Sequence, residues 1–267
     1  MKKEPIENSY TRKDALLYRD GSSASVHEAV CVEKVFSLVL NDESIGRMVA
    51  SPHQLKELGA GFVISEGLAH DIGKVEVDGD RILVYSSSSR KPGGPVTESS
   101  GGISLGTVRT RIASELTIDR DDVFRVIGEI ASELWEKTGG AHCSVLFSEN
   151  RIVAKCSDIG RHNTVDKVIG HAILEGIELS GCILGCTGRQ PAGMVSKAIN
   201  AGIPIVISKA ATTDEGIHLA RAAGLTLICR VREHSFCVYS HPERIANLTD
   251  TDPRTPRKKR RSCRKKT

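Results

Sequence analysis

The sequence predicts an α/β fold, a mostly parallel sheet flanked by helices, joined to a smaller β-rich N-terminal part. Three observations carry that reading. In the second half, short apolar runs alternate with helical patterns of roughly 10–15 residues, the signature of βαβ units. Residues 26–85 hold several β-branched runs around a single helical pattern. Between the halves, thirteen of the nineteen residues from Ser86 to Ser104 are Ser, Gly or Pro, which cannot supply a core. A chain of 267 residues, 39% hydrophobic and 26% charged, can bury one large domain or two modest ones.

In chain order, residues 1–25 read as a flexible N-terminus. Residues 26–110 read as a β-rich domain carrying a mobile loop over 86–104. VHEAVCVEKVFSLVL has strand character and NDES is a turn. Ser51 is the expected N-cap, with Pro52 at the first helical position, for the helix in SPHQLKELGAGFVISEG. KVEVDGDRILVYS is a hairpin around Asp78-Gly79. Residues 111–247 form the larger domain. DRDDVFRVIGEIASELWEKTGG reads as one amphipathic helix, acidic early and basic late, as the helix dipole favours. AHCSVLFS, LSGCILGCTG, IPIVISKA, LTLICRVRE and SFCVYSHPE read as strands. The helices between them are DIGRHNTVDKVIGHAILEG, PAGMVSKAINAG and TTDEGIHLARAAG, the last capped by Thr212 or Thr213.

Composition excludes several classes. Aromatics are 4% with one Trp, too few for base-stacking platforms. No apolar run approaches the ~18 residues of a membrane span. Met1-Lys2-Lys3-Glu4-Pro5 leads into polar sequence without the apolar core of a secretory signal, so a cytoplasmic protein is expected. The eight cysteines then read as free thiols, and Cys229 and Cys237, within apolar runs, as small buried hydrophobes. The net charge of +4 conceals an asymmetry. Residues 252–267 hold nine Lys/Arg and one acid, leaving 28 bases and 32 acids for the rest. That basic tail, within 248–267, reads as disordered. It is either a solubilising end or an arm for nucleic acid or acidic partners.

Two stretches carry chemistry. In Asp158-Ile159-Gly160-Arg161-His162-Asn163-Thr164-Val165-Asp166-Lys167, Gly160 permits close backbone approach, and Asn163 is an N-cap that Asp166 answers as in a capping box. Arg161 and His162 then stand at a helix N-terminus, where free N–H groups and the dipole favour an anion and Arg161 can grip phosphate bidentately. The same residues also suit a well-capped helix with a solvated Arg and a hydrogen-bonded His. Cys186-Thr187-Gly188-Arg189-Gln190-Pro191 repeats the pattern at a second strand-to-helix junction. Ligands of doubly wound sheets bind at the carboxyl ends of strands. Two Gly-Arg pairs at two such ends point to one anionic ligand between them, a nucleotide fitting best. A zinc deaminase site built on His142, Cys182 and Cys186 fails, because Ser144 stands where the general acid/base Glu belongs and the cysteine spacing is C-x-x-x-C.

TGGAHCSVLFS, SDIGRHNTVDKVIG, TGRQPAGMVSKAINAGIPIVISKAATT, GIHLARAAGLTLICRVR, FCVYSHPERI and the earlier GFVISEG together resemble the FdhD family of formate dehydrogenase accessory sulfurtransferases, over residues from about 25 to 245. The resemblance implies a cytidine-deaminase-like mixed sheet with flanking helices and without the zinc. It also implies transfer of sulfur from a cysteine desulfurase to the bis-(molybdopterin guanine dinucleotide) molybdenum cofactor, on its way into the formate dehydrogenase apo-enzyme. It implies a homodimer; from composition no membrane is expected, and a nucleic-acid partner is disfavoured. Cofactor contacts are implied for Asp158, Gly160, Arg161, His162, Asn163, Gly188 and Arg189, and for the strand Phe236, Cys237, Val238, Tyr239, Ser240 and His241.

One departure matters. The family's sulfur carrier is a C-G-x-C pair in a flexible loop, and the matching stretch here is Ser100-Gly101-Gly102-Ile103-Ser104. Gly101 and Ser104 stand where the two cysteines belong, and a persulfide needs a thiolate. Three readings follow. The chain is a cofactor-binding chaperone or regulator that has lost sulfur transfer. Alternatively, it is a sulfurtransferase whose carrier thiol has moved, to Cys156 or Cys186. The third, from another class, is a nucleic-acid-binding protein that uses the tail.

Overall fold

The computed structural model describes residues 6, 8–90, 96–97, 103–104 and 111–248. Gly101 and the basic tail lie outside the described residues. β1 (Tyr10–Arg19) and β2 (Ser22–Cys31) form a ten-pair antiparallel hairpin in place of the flexible start expected for residues 1–25. The turn between them is Asp20-Gly21, with φ of 50° and 84°. Asp-Gly suits the positive φ that hairpin turns require, and that signal overrides the polar composition.

The N-terminal unit continues with β3 (Lys34–Leu40), β4 (Glu43–Ala50), α1 (Leu55–Ser65), β5 (Lys74–Asp78) and β6 (Arg81–Tyr85). Its sheet has the order β4-β3-β6-β5, with β3 and β6 parallel. The Asp78-Gly79 hairpin is present, Gly79 having φ 59°. α1 starts at Leu55, with Gln54 as a left-handed N-cap, and not at Pro52. Ser51 is engaged elsewhere, giving its N–H to Asp158 Oδ2 (3.0 Å) and accepting the Ile159 N–H on Oγ (3.3 Å).

β7 (Val96–Thr97) and β8 (Ile103–Ser104) pair briefly, and β9 (Ile118–Asp119) leads into α2 (Arg120–Gly128) and α3 (Glu133–Thr138). The single helix expected there is two. Ile130, 2% exposed, turns inward between them, and Ser132 caps α3 by accepting the Trp135 N–H at 3.0 Å. The main sheet comprises β10 (His142–Ser148), β11 (Arg151–Asp158), β12 (Ile183–Cys186), β13 (Ile205–Ser208), β14 (Thr226–Arg232) and β15 (Ser235–Ser240), in the order β11-β10-β12-β13-β14-β15. α4 (Arg161–Leu174), α5 (Ala192–Ala201) and α6 (Asp214–Ala223) connect its strands, and β16 (Ile245–Ala246) pairs with β9.

Only β12, β13 and β14 run parallel to one another, so the sheet is mixed. β10 is antiparallel to both β11 and β12, and β15 to β14. β11, which the sequence reading passes over, makes the difference. Glu149 and Asn150 both take positive φ (48° and 62°), and a two-residue turn can join antiparallel strands only. Val165, Val168 and Ile169 of α4 and Met194, Val195 and Ile199 of α5 cover one face, burying Cys156, Leu184, Cys186 and Cys229 beneath them. Val123, Val126 and Ile127 of α2 cover the other. Among the described residues no helix is long and apolar enough to cross a membrane.

α1 lies between the two sheets. A Cβ at Gly59 would stand 2.4 Å from Ile82 Cγ2 in the N-terminal sheet. On the other flank, a Cβ at Gly61 would meet the Asp166 carbonyl oxygen at 1.7 Å, and one at Gly170 the Glu57 carbonyl oxygen at 1.8 Å. α1 and α4 therefore cross backbone on backbone, and only glycine allows it. This contact fixes the N-terminal unit against the start of α4.

Candidate functional site at the carboxyl edge of the main sheet

The strand order brings the carboxyl ends of β11, β12, β13 and β14 to one edge, where the two Gly-Arg junctions converge. Gly188 lies against the Arg161 side chain: a Cβ there would meet Arg161 Cβ at 2.7 Å and Cδ at 2.8 Å. Glycine at 188 thus lets the base from the first junction lie over the second. The second turn is held firmly. The Gly188 carbonyl accepts from Ser208 Oγ (2.7 Å) and Gln190 Nε2 (2.9 Å), and the Gln190 N–H donates to the Ala211 carbonyl (2.9 Å). Gly160 and Pro191, the N-caps of α4 and α5, supply no side-chain acceptor, whereas Thr213 caps α6 by accepting the Gly216 N–H. The helix starts beside Arg161 and Arg189 therefore carry first-turn N–H groups without a side-chain cap, the arrangement that favours anions.

The motif around Arg161 divides in two. Asp158 is fully buried and uses both oxygens. Oδ2 accepts from Lys167 Nζ (2.7 Å) and the Ser51 N–H, while Oδ1 accepts from the Gly160 N–H and Asn163 Nδ2 (both 2.8 Å). Asn163 also donates to the Val49 carbonyl (2.8 Å), and Lys167 to the Ser51 carbonyl (3.2 Å). These residues build the turn and tie it to the end of β4; Asp158 is not on the surface. The capping box expected for Asn163 and Asp166 is absent. Gly160 is the N-cap, and Asp166 accepts from Ser65 Oγ (2.6 Å) and from Lys197 Nζ (2.9 Å), which also reaches Glu66 (2.7 Å). Burial opposes the Lys197 charge, but Asp166 and Glu66 overcome it and hold the ammonium protonated. The local preference of Asn163 for a cap is outcompeted by its tertiary partners Asp158 and Val49.

Arg161 and His162 are half-buried and Arg189 is exposed. His142, at the start of β10, reaches the second junction, its Nδ1 lying 3.0 Å from Thr187 Oγ1. Burial, together with the positive charge of Arg161, pushes the His142 imidazole below its ordinary value, so it is neutral at neutral pH. Further bases extend along the same edge. Lys209 follows β13, Arg230 is exposed in a left-handed conformation (φ 55°), and Arg232 Nη1 donates to the Lys209 carbonyl (2.7 Å). The sequence reading stopped at two junctions, although ISK after β13 carries the same signal of a base at a strand end.

The strand Phe236–His241 is the sheet's outer strand and runs away from this edge. Phe236 packs on Phe124 (centroids 5.6 Å apart) and Val238 joins the α2 face. Cys237 and Tyr239 lie on the face of α4–α6, and Cys237 is exposed, contrary to its reading as a buried hydrophobe. Ser240 and His241 lie at the opposite end, where Ser240 Oγ donates to the Leu225 carbonyl (2.6 Å) and His241 contacts the Arg221 carbonyl (3.0 Å). Cys156 and Cys186, the candidate relocated thiols, are at most 1% exposed. Burial pushes the Cys186 thiol up to about 12, the opposite of what a sulfur carrier needs. Among the described residues no group of His, Cys, Asp and Glu could hold a metal ion.

Residues 31–246 match the FdhD/NarQ family. Protein FdhD of Methanocaldococcus jannaschii is 35% identical over 217 residues, covering 80% of this chain and 89% of that protein. Sulfur carrier protein FdhD of Thermoplasma acidophilum is 33% identical over 90% of this chain and 94% of its own length. A crystal structure described as a formate dehydrogenase accessory protein, from Desulfotalea psychrophila, superposes with a TM-score of 0.76 at 27% identity, covering 88% of this chain and 99% of that one. With the family match spanning both sheets and both Gly-Arg junctions, the chain belongs to the FdhD/NarQ family.

Proposed function

We propose that this chain serves formate dehydrogenase maturation by holding the bis-(molybdopterin guanine dinucleotide) molybdenum cofactor, as cargo, at the carboxyl edge of the main sheet. The observation that carries the reading is the packing of the Arg161 side chain against Gly188, which brings the start of α4 to the turn before α5, with Arg189 next in the chain. A dinucleotide pyrophosphate matches that site in charge and in its need for close backbone approach. Family membership adds the partners: a cysteine desulfurase as sulfur source, the formate dehydrogenase apo-enzyme as recipient, a second copy of the chain in a homodimer, and the cytoplasm as the place of work.

The test is a calorimetric titration with GDP. The wild-type chain binds, and Arg161→Ala and Arg189→Ala each weaken binding about tenfold, the equivalent of ~1.4 kcal/mol. Equal affinity in all three proteins would refute the site. A second reading, a cofactor holder without sulfur transfer, is favoured by Gly101 and Ser104 at the positions of the family's two cysteines.

A further inference from the structure

The ribbon of β1 and β2 is held at its stem and bare beyond it. At the stem Tyr10 and Cys31 pack with Ile6, Leu134 and Ala141. Lys137 Nζ sits 4.8 Å over the Tyr10 ring, and the Cys31 sulfur lies 3.1 Å from Thr138 Oγ1. From Arg12 to Ser25 every residue is exposed, Leu16 and Tyr18 by 71% and 70%. A two-stranded hairpin with both faces in water is marginal by itself, and its two unpaired edges invite a further strand.

Charge follows a pattern along the ribbon. Ala15, Leu16, Leu17 and Tyr18 stand across from Val26, Ser25, Ala24 and Ser23, a band without a charged residue. Below the band Lys13 faces Glu28, and Asp14 faces His27, whose Nδ1 lies 2.5 Å from Asp14 Oδ1. Above it the tip holds Arg19 and Asp20. Each end therefore carries both signs, and Arg12, Lys13 and Arg19 balance Asp14, Asp20 and Glu28. Two ribbons laid antiparallel about a two-fold axis through the band put the apolar residues of one copy on those of the other. The same axis brings each Arg19 to the other copy's Asp14 and Glu28, and each Asp20 to its Lys13. An isologous interface needs such a self-complementary patch. A neutral ribbon offers a strongly charged partner nothing to match, whereas a second copy matches it at both ends. Strands of ten residues at ~3.4 Å each make a ribbon about 34 Å long and about 10 Å wide, with roughly 700 Å² on its two faces. A stable interface takes ~800 Å² from each partner.

We propose that the β1–β2 ribbon is a docking surface for a second copy of this chain, ribbon against ribbon. The inference gives a surface to the second copy named in the function proposed above, and rests on that reading for the partner alone. It needs neither the anion site nor sulfur transfer. Burial of Leu16, Leu17 and Tyr18 drives the association, and the opposite signs at tip and stem set its antiparallel direction.

The experiment is sedimentation equilibrium of the full-length chain over a concentration series, with a GDP titration of the same samples. The wild-type chain is expected as a dimer. Leu16→Lys combined with Tyr18→Lys should weaken self-association at least tenfold and leave the far-UV circular dichroism unchanged, because both side chains are exposed. Val77→Lys, at an exposed apolar residue of β5, should leave the dimer intact. A wild-type chain that is monomeric throughout overturns both the docking surface and the homodimer. A dimer that the double variant leaves unchanged overturns the docking surface and keeps the homodimer. GDP binding decides the cofactor site separately: a ribbon-dependent dimer that does not bind GDP supports the docking surface and refutes that site.

Discussion

The two ends of the carboxyl edge are built differently. Behind β11 and β12 the chain is locked, because Asp158 with Lys167, and Asp166 with Lys197 and Glu66, are buried and tie α4 to the N-terminal unit. At β14 and β15 the edge is open, with Arg230 and Arg232 exposed on β14 and Cys237 exposed on the outer strand β15. The difference teaches how one motif serves two purposes. Charged residues facing inward from α4 fix where Arg161 stands, while those facing outward are left to meet a ligand.

Breaking the locked end has the largest expected effect. Lys167→Met leaves Asp158 buried and unpaired, and should cost about 3–5 kcal/mol in urea unfolding. A loss under about 1 kcal/mol, the range of surface pairs, would show that the lock is not structural. Next come the outward groups. Arg161→Ala and Arg189→Ala should lower GDP affinity as described above, while Arg151→Ala, at the far end of β11, should leave both affinity and stability unchanged.

pH sharpens the contrast further. The His142 imidazole is held below its ordinary value of 6.5 by burial and the neighbouring Arg161 charge. The unfolded chain therefore takes up this proton first, and the free protein loses stability as the pH falls below about 6.5. A bound pyrophosphate reverses the local charge and favours the imidazolium. GDP affinity should therefore rise several-fold from pH 7.5 to 5.5, and His142→Asn should flatten that rise. The smallest effect concerns the tail. A chain ending at residue 248 should bind GDP with unchanged affinity, whereas loss of binding would move the anion site to the basic segment.

Much of the fold was legible because periodicity and turn chemistry act locally. The strands β10, β12, β13, β14 and β15 and the helices α5 and α6 lie where apolar runs and caps place them, Thr213 included. The illegible parts were set at a distance. Pro52 obeys helix-start rules, but Ser51 is drawn to Asp158, 107 positions away, and the helix begins later. Asn163 reads as a cap until Asp158 and Val49 claim its amide. At the site, Gly188 and Arg161 were both visible as types, but their contact depends on β12 lying two places from β11. Cysteine exposure was the least legible feature, since an apolar run reads alike in a central strand and an outer one.

The most direct test of the central claim is hydrogen exchange on the full-length chain with and without GDP. Slowed exchange is expected in two separate stretches, 159–164 and 187–193, because the first-turn amides of α4 and α5 grip one ligand. Protection confined to one stretch, or appearing only in the hairpin at 10–31 or in the tail, would contradict it.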